Sequence, residues 1–191
     1  MRKCLSGKIL VSSPHLADKN FFKTVVAICD HNEKGAMGFV LNSYMPTKDR
    51  LDIQATWSRY FGDCECVDKL YVGGPVSSDM MLLHTDATHS EFLITDGIFL
   101  TSDKAKMHDI VDRGDAQYRC FIGYSGWGRN QLEKEMRIAS WYVVANSHET
   151  MFHDCEPDEL WKCQLNKFGA DLIQKSCRIP TSAIPQDVRS N

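Results

Sequence analysis

No apolar run in this chain approaches the roughly 20 residues that span a bilayer, which excludes a membrane-crossing helix. The basic excess of a nucleic-acid binder is missing too. With 22 Lys and Arg against 25 Asp and Glu, the net charge is −3 and the pI is near 6.1, so tight non-specific binding to DNA or RNA is not expected. There is no helix-turn-helix pattern or basic stripe. The first eight residues carry positive charge, but Lys8 interrupts any apolar core of a secretory signal, and a cytoplasmic protein is expected. Internal repeats and low-complexity tracts are lacking.

Several chemistries fall with missing motifs. The glycines of residues 123–128 read G-x-x-G-x-G, which is neither the dinucleotide fingerprint nor a phosphate loop with its Lys-Ser/Thr pair. Ser125 lies near glycines after a strand, yet Trp127 stands where a nucleophile elbow needs glycine, and no Asp or His can be placed beside it. Cys64 and Cys66 form the only close cysteine pair and lack the two-residue spacer and second pair of a zinc site. His148, His153 and Cys155 make a second loose group, read as loop residues. The eight cysteines are scattered through a chain without an export signal, which favours reduced thiols; Cys29 and Cys120, in apolar runs, read as small core residues. No metal and no cofactor are expected.

What is present is an ordinary globular composition, 43% hydrophobic and 25% charged over 191 residues. It is enough for one domain across residues 1–177, with a loosely attached tail at 178–191 that is poor in large apolar groups. The stretch 123–135 organises the rest. Residues 118–122 read as a strand entering a core, the glycines as a turn, and the segment after Asn130 as a helix. Asn130 with Glu133 resembles a capping box, and glycines before a helix start can form an anion cradle to which Arg129 adds charge. Glu133 and Glu135 in the first turn oppose that attraction. The alternative is a structural turn in which Trp127 fills the core.

Strands are expected at residues 8–12, at 21–29, returning at 36–42 after a turn at 30–35, and at 70–72, 80–84 and 141–145. Residues 92–95 and 98–100 form a hairpin about Asp96-Gly97. Helices are expected at 49–61, from Asp103 to a stop near Gly114, and from Pro157 to Phe168, closed by Gly169. In the last of these Leu160, Trp161, Leu165 and Phe168 make the buried stripe. Gly73, Gly74 and Pro75 force a sharp backbone excursion after the strand at 70–72.

Four blocks carry a family resemblance: Cys29-Asp30-His31-Asn32 with residues 35–38 and Asn42; residues 71–76 with Leu83-His84; residues 94–97 with Leu100-Thr101; and residues 123–135 with Trp141. From about Gly7 to Gly169 the chain resembles the AlgH/YqgE family of bacterial proteins. The resemblance implies a single α+β domain, a mixed and mostly antiparallel sheet curled into a barrel and flanked by three or four helices. That family usually has alanine where this chain has Ser125, which further weakens a nucleophile there, and commonly glycine in place of Asn130. One branch bears the label of transcriptional regulator, which supplies no mechanism.

Two functional readings follow, with a weaker third. The first is a non-catalytic regulatory or binding domain for a small anionic ligand or a protein partner. Its candidate contacts are His31, Asn42 and the glycine pair Gly73 and Gly74, with Gly126, Trp127, Arg129, Gln131 and Glu135 from the central stretch and His84 at a strand end. The second is a hydrolase or transferase with His84 or His31 as base and Glu135 as acid. The weaker third is direct transcriptional regulation.

Overall fold

The computed structural model of the chain describes residues 4–46, 50–62 and 69–177. Its strands are β1 (Ile9–Ser12), β2 (Val25–Asn32), β3 (Gly35–Val40), β4 (Leu70–Val72), β5 (Met81–His84), β6 (Phe92–Thr95), β7 (Ile98–Thr101), β8 (Tyr118–Ile122), β9 (Ser125–Gly128) and β10 (Trp141–Val144). Its helices are α1 (Arg50–Phe61), α2 (Lys104–Arg113), α3 (Gln131–Arg137), α4 (His148–Phe152) and α5 (Pro157–Cys177). The strands form two five-stranded sheets, β10-β1-β2-β3-β9 and β4-β8-β5-β7-β6. Among the described residues only β4 and β8 pair in parallel. Bonds from Val40 N–H to Gly73 O (2.9 Å) and between Val76 and Tyr124 in both directions (2.9 and 3.0 Å) stitch the sheets together into a mostly antiparallel half-barrel.

The layering follows from strand alternation. Along β1 and β2, Ile9, Val11, Val25, Ala27 and Cys29 point between the sheets, where they meet Tyr71, Leu83, Leu100 and Phe121 of the second sheet. Leu10, Val26 and Ile28 point the other way, toward Trp127, Leu132 and Trp141. These strands are buried on both faces and so read as unbroken apolar runs. The outer face of the second sheet is covered by α1 and α2 through Ile53, Trp57, Met107 and Ile110. Met151, Leu160 and Trp161 from α4 and α5 close the main core.

Four expectations need correcting. Residues 30–32 continue β2 past a register shift rather than turning, because Asp30, His31 and Asn32 pair with Met37, Ala36 and Gly35; Glu33 and Lys34 alone make the turn. Phe21 and Phe22 lie before β2, and Phe21 stacks on Trp127 at 5.8 Å between ring centroids. Helix α5 passes through Gly169 to Cys177, since one glycine costs only about 1 kcal/mol in a helix otherwise rich in good formers. Residues 125–128 are a strand paired with β3, not a glycine turn. Five helices flank the sheets among the described residues, the additional one being the single-turn-scale α4. Asp103 and Gly114 cap α2 as expected. Cys64, Cys66 and the tail 178–191 lie outside the described residues.

The glycines in residues 73–76 and 123–128 mark where the chain crosses between sheets. After β8, Gly123 adopts a φ of +67° and the backbone passes from the second sheet to the first as β9. A Cβ on Gly73 would stand 2.4 Å from the Gly123 carbonyl oxygen, and one on Gly74 would stand 2.4 Å from the Tyr124 carbonyl carbon. Both obstacles are main chain and cannot rotate away. We expect Gly73→Ala to lower unfolding free energy by about 3 kcal/mol by overpacking. Gly169→Ala, where a Cβ meets nothing within 4 Å, should raise it by about 1 kcal/mol. Urea denaturation midpoints check both.

Candidate functional site

An open hollow of about 550 Å³ lies over the β2-β3-β9 end of the first sheet. Its floor follows from the strand register. Asp30, Met37 and Gly126 stand in one cross-strand row, and Asn32, Gly35 and Gly128 in the next. Glycine at both β9 positions leaves the floor bare. Val76 and Tyr124 contribute further walls, and Lys34 contributes its ammonium. Gly126 and Gly128 differ from the crossing glycines, because neither has a positive φ and a Cβ would meet only side chains, Tyr124 Cε2 at 3.3 Å and Gln131 Oε1 at 3.8 Å. No backbone obstacle demands glycine there.

Beneath this floor a single carboxylate organises the region. Trp127, 4% exposed, donates its indole N–H to Glu135 Oε2 at 3.0 Å, and Trp141 donates to the same oxygen at 2.8 Å. Gln131 Nε2 donates to Glu135 Oε1 at 3.0 Å while its Oε1 accepts from Gly128 N–H at 3.0 Å. Glu135 is thus a structural acceptor that holds two tryptophans in place, and Gln131 caps the end of β9. Asn130 sits in the left-handed conformation at a φ of 62° and makes no side-chain cap bond, so the capping box expected with Glu133 is not what starts α3.

Comparison with known proteins fits this architecture. The AlgH-like family model matches residues 9–173. The chain belongs to the AlgH-like family. UPF0301 proteins of Chlorobium limicola and Cytophaga hutchinsonii are 34% and 33% identical to it, over 93% and 86% of this chain and 95% and 90% of theirs. The solution structure of the AlgH protein from Pseudomonas aeruginosa superposes with a TM-score of 0.70 at 24% identity, covering 94% of this chain and 98% of that one. A crystal structure of a Corynebacterium diphtheriae protein gives 0.65 at 19%, covering 84% and 85%. These two likenesses establish the AlgH fold alone.

On this AlgH-like framework the ten candidate contacts do not converge. Gly126 and Trp127 border the hollow, Gln131 touches its edge through Gly128, and Arg129 is exposed beside them. Gly73 and Gly74 serve the sheet crossing. Asn42 is a buried tie whose Oδ1 accepts from Val25 N–H (2.8 Å) and whose Nδ2 donates to the carbonyls of Lys23 and Pro157 (both 2.9 Å). His31 accepts from Leu5 N–H at Nδ1 (3.1 Å) and faces Glu133 at 3.4 Å through Nε2. His84 is fully buried in the second sheet, its Nδ1 accepting from Asp86 N–H and its Nε2 without a partner; burial pushes its pKa down. Ser125 is also fully buried and donates to Gly73 O at 3.0 Å.

The amides considered for an anion cradle at the start of α3 are engaged within the protein. Residues 125–128 pair with β3, and Gln131 takes the Gly128 amide. The residues considered for acid-base work are engaged separately: Glu135 accepts from two indoles, His31 meets Leu5 and Glu133, and His84 lies in the other sheet. His148, His153 and Cys155 form no metal-holding group, and among the described residues no cluster of three such ligands occurs. Sequence reasoning passed over Lys34, Asp30 and Tyr124 as hollow residues; only the β2-β3-β9 register places them together.

Replacing Glu135 with Leu strips both indole N–H groups of their acceptor. Each lost bond to a charged acceptor is worth about 1.5–3 kcal/mol. We expect Glu135→Leu to cost about 3 kcal/mol and to shift tryptophan emission, with Glu135→Gln retaining more of the stability; thermal unfolding followed by fluorescence checks both.

Proposed function

We propose that this AlgH-like chain is a non-catalytic binding domain whose occupant is an extended segment of a partner protein, laid along β9. One observation carries the reading: β9 is an edge strand with glycine at two positions where the fold does not require it. Glycine within a strand costs about 0.5–1 kcal/mol relative to alanine, and its usual justification is the close approach of another backbone or a ligand.

Natural edge strands are commonly blunted by Lys, Pro or inward charge against unwanted pairing. The sequence Ser125-Gly126-Trp127-Gly128 has none of these. Adding a strand to such an edge draws affinity from main-chain bonds and specificity from flanking pockets. The Gln131 side-chain carbonyl on the Gly128 amide then acts as a placeholder that an incoming main-chain carbonyl replaces. Met37, Val76 and Tyr124 offer apolar contact, and Asp30 and Lys34 offer one charge of each sign, which fits an amphipathic segment better than a bare anion. Among the described residues no helix is long and apolar enough to cross a membrane.

A peptide selected from a random library on the native protein should perturb the amides of β9 and of residues 34–37 in NMR spectra. Gly126→Arg should abolish that binding while the protein stays folded. Gly128→Ala should weaken the same binding yet raise unfolding free energy by about 0.5–1 kcal/mol. Peptides that map elsewhere, or that bind Gly126→Arg undiminished, would overturn the reading.

A further inference from the structure

Arg119 is a second feature of this fold for which internal packing gives an incomplete account. It lies on β8, between β4 and β5 of the second sheet, on the face directed between the sheets, and is 5% exposed. Its Nη1 donates to Leu41 O at 2.9 Å and its Nη2 to His153 O at 2.5 Å, while the guanidinium lies over the Tyr71 ring at 4.6 Å from the centroid. These contacts position the group without neutralising it. Among the described residues no carboxylate forms an ion pair with Arg119; Asp154, whose field it feels, is bridged instead to Lys69 at 2.5 Å.

A buried cation that lacks an anion is costly, and native proteins avoid it unless a partner is supplied. Burial draws the Arg119 pKa below its ordinary value, as expected for a charge whose hydration has been removed and only partly replaced. Arg119 borders a pocket of about 120 Å³, several times the room one water needs. Lys69 and Asp154, with side chains 43% and 62% exposed, form its outer wall, and Tyr71, Tyr118 and Phe152 line the remainder. A planar five-donor fork with two donors committed to carbonyls still has donors to offer, and this geometry matches oxyanions.

We propose that this pocket is a binding site for a phosphate-class oxyanion, with Arg119 as the buried anchor and Lys69 as the second cation once the anion displaces Asp154 from it. The site is separate from the β9 edge, and its test does not depend on the docking reading. Asp154 acts as the internal stand-in: it holds Lys69 in place when the pocket lacks an anion and competes with one that enters. Phosphate, with between one and two negative charges near neutral pH, outcompetes a single exposed carboxylate when Arg119 adds its bonds.

The test is a titration of the full chain with inorganic phosphate at constant ionic strength, with chloride as control, following the Arg119 Nε–H resonance and the Tyr118 and Cys120 amides. Saturable shifts at millimolar phosphate, absent with chloride, are expected. A second titration with glycerol 3-phosphate separates the sources: tighter binding than phosphate assigns the site to a phosphomonoester, and weaker binding assigns it to free phosphate. Asp154→Asn should tighten phosphate binding several-fold by removing the competitor, and Lys69→Gln should weaken it several-fold. Both alter exposed residues, so folding is retained, and the test does not depend on replacing the buried Arg119. Absence of saturable shifts, or equal affinities in the Asp154→Asn, Lys69→Gln and native proteins, would overturn the proposal.

Discussion

The crossing of two backbones at Gly73, Gly74 and residues 123–125 is the constraint on which the rest of the molecule depends. Here β4 ends and β8 becomes β9, and the two segments come closer than any side chain allows. Main-chain bonds fill the contact: Gly73 N–H to Ile122 O, Val40 N–H to Gly73 O, and the reciprocal pair between Val76 and Tyr124. Ser125 adds its hydroxyl to the Gly73 carbonyl. Without that approach the sheets would remain separate layers. With it they curl into one half-barrel, and β9 is delivered to the open edge of the first sheet.

Two consequences radiate from the junction. On one side, Trp127 is directed inward, where Phe21 and Trp141 surround it and Glu135 accepts both indole protons. A carboxylate given two indole donors and a Gln amide is satisfied by the protein itself and anchors the residues around it. On the other side, the alternation that buries Trp127 exposes Gly126 and Gly128. The bare floor of the hollow and the packed layer beneath it are thus two faces of the same four residues. Farther along β8, Arg119 is fixed to the carbonyls of Leu41, just after β3, and His153, just after α4.

Much of the architecture was legible in the residues. The hairpin at Asp96-Gly97, where Gly97 has a φ of 68°, follows from turn chemistry, and the bounds of α2 follow from Asp103 and Gly114. The apolar runs at residues 8–12 and 24–29 announced strands there, and the structure shows β1 and β2 buried on both faces. Local rules failed where tertiary pairing outweighed them. Residues 30–32 are turn formers that the β3 ladder holds in a strand, and Gly169 is a helix stop that α5 ignores. The central stretch departs most from local expectation: its glycines read as a turn, but the backbone they free is spent on pairing with β3 and on passing the residues at 73–76.

From the amino-acid order alone came the periodicities, the caps, the excess of acid over base and the motif blocks of the AlgH-like family, because each depends on neighbours within a few positions or on simple counting. Tertiary structure alone decided which glycines are steric necessities and which are not, since that depends on a main chain some fifty residues away, as between Gly73 and Gly123. It also decided that Glu135 faces two tryptophans and that Arg119 donates to the carbonyls of Leu41 and His153. Satisfaction of a buried polar group is a property of three-dimensional neighbours, and no local pattern encodes it.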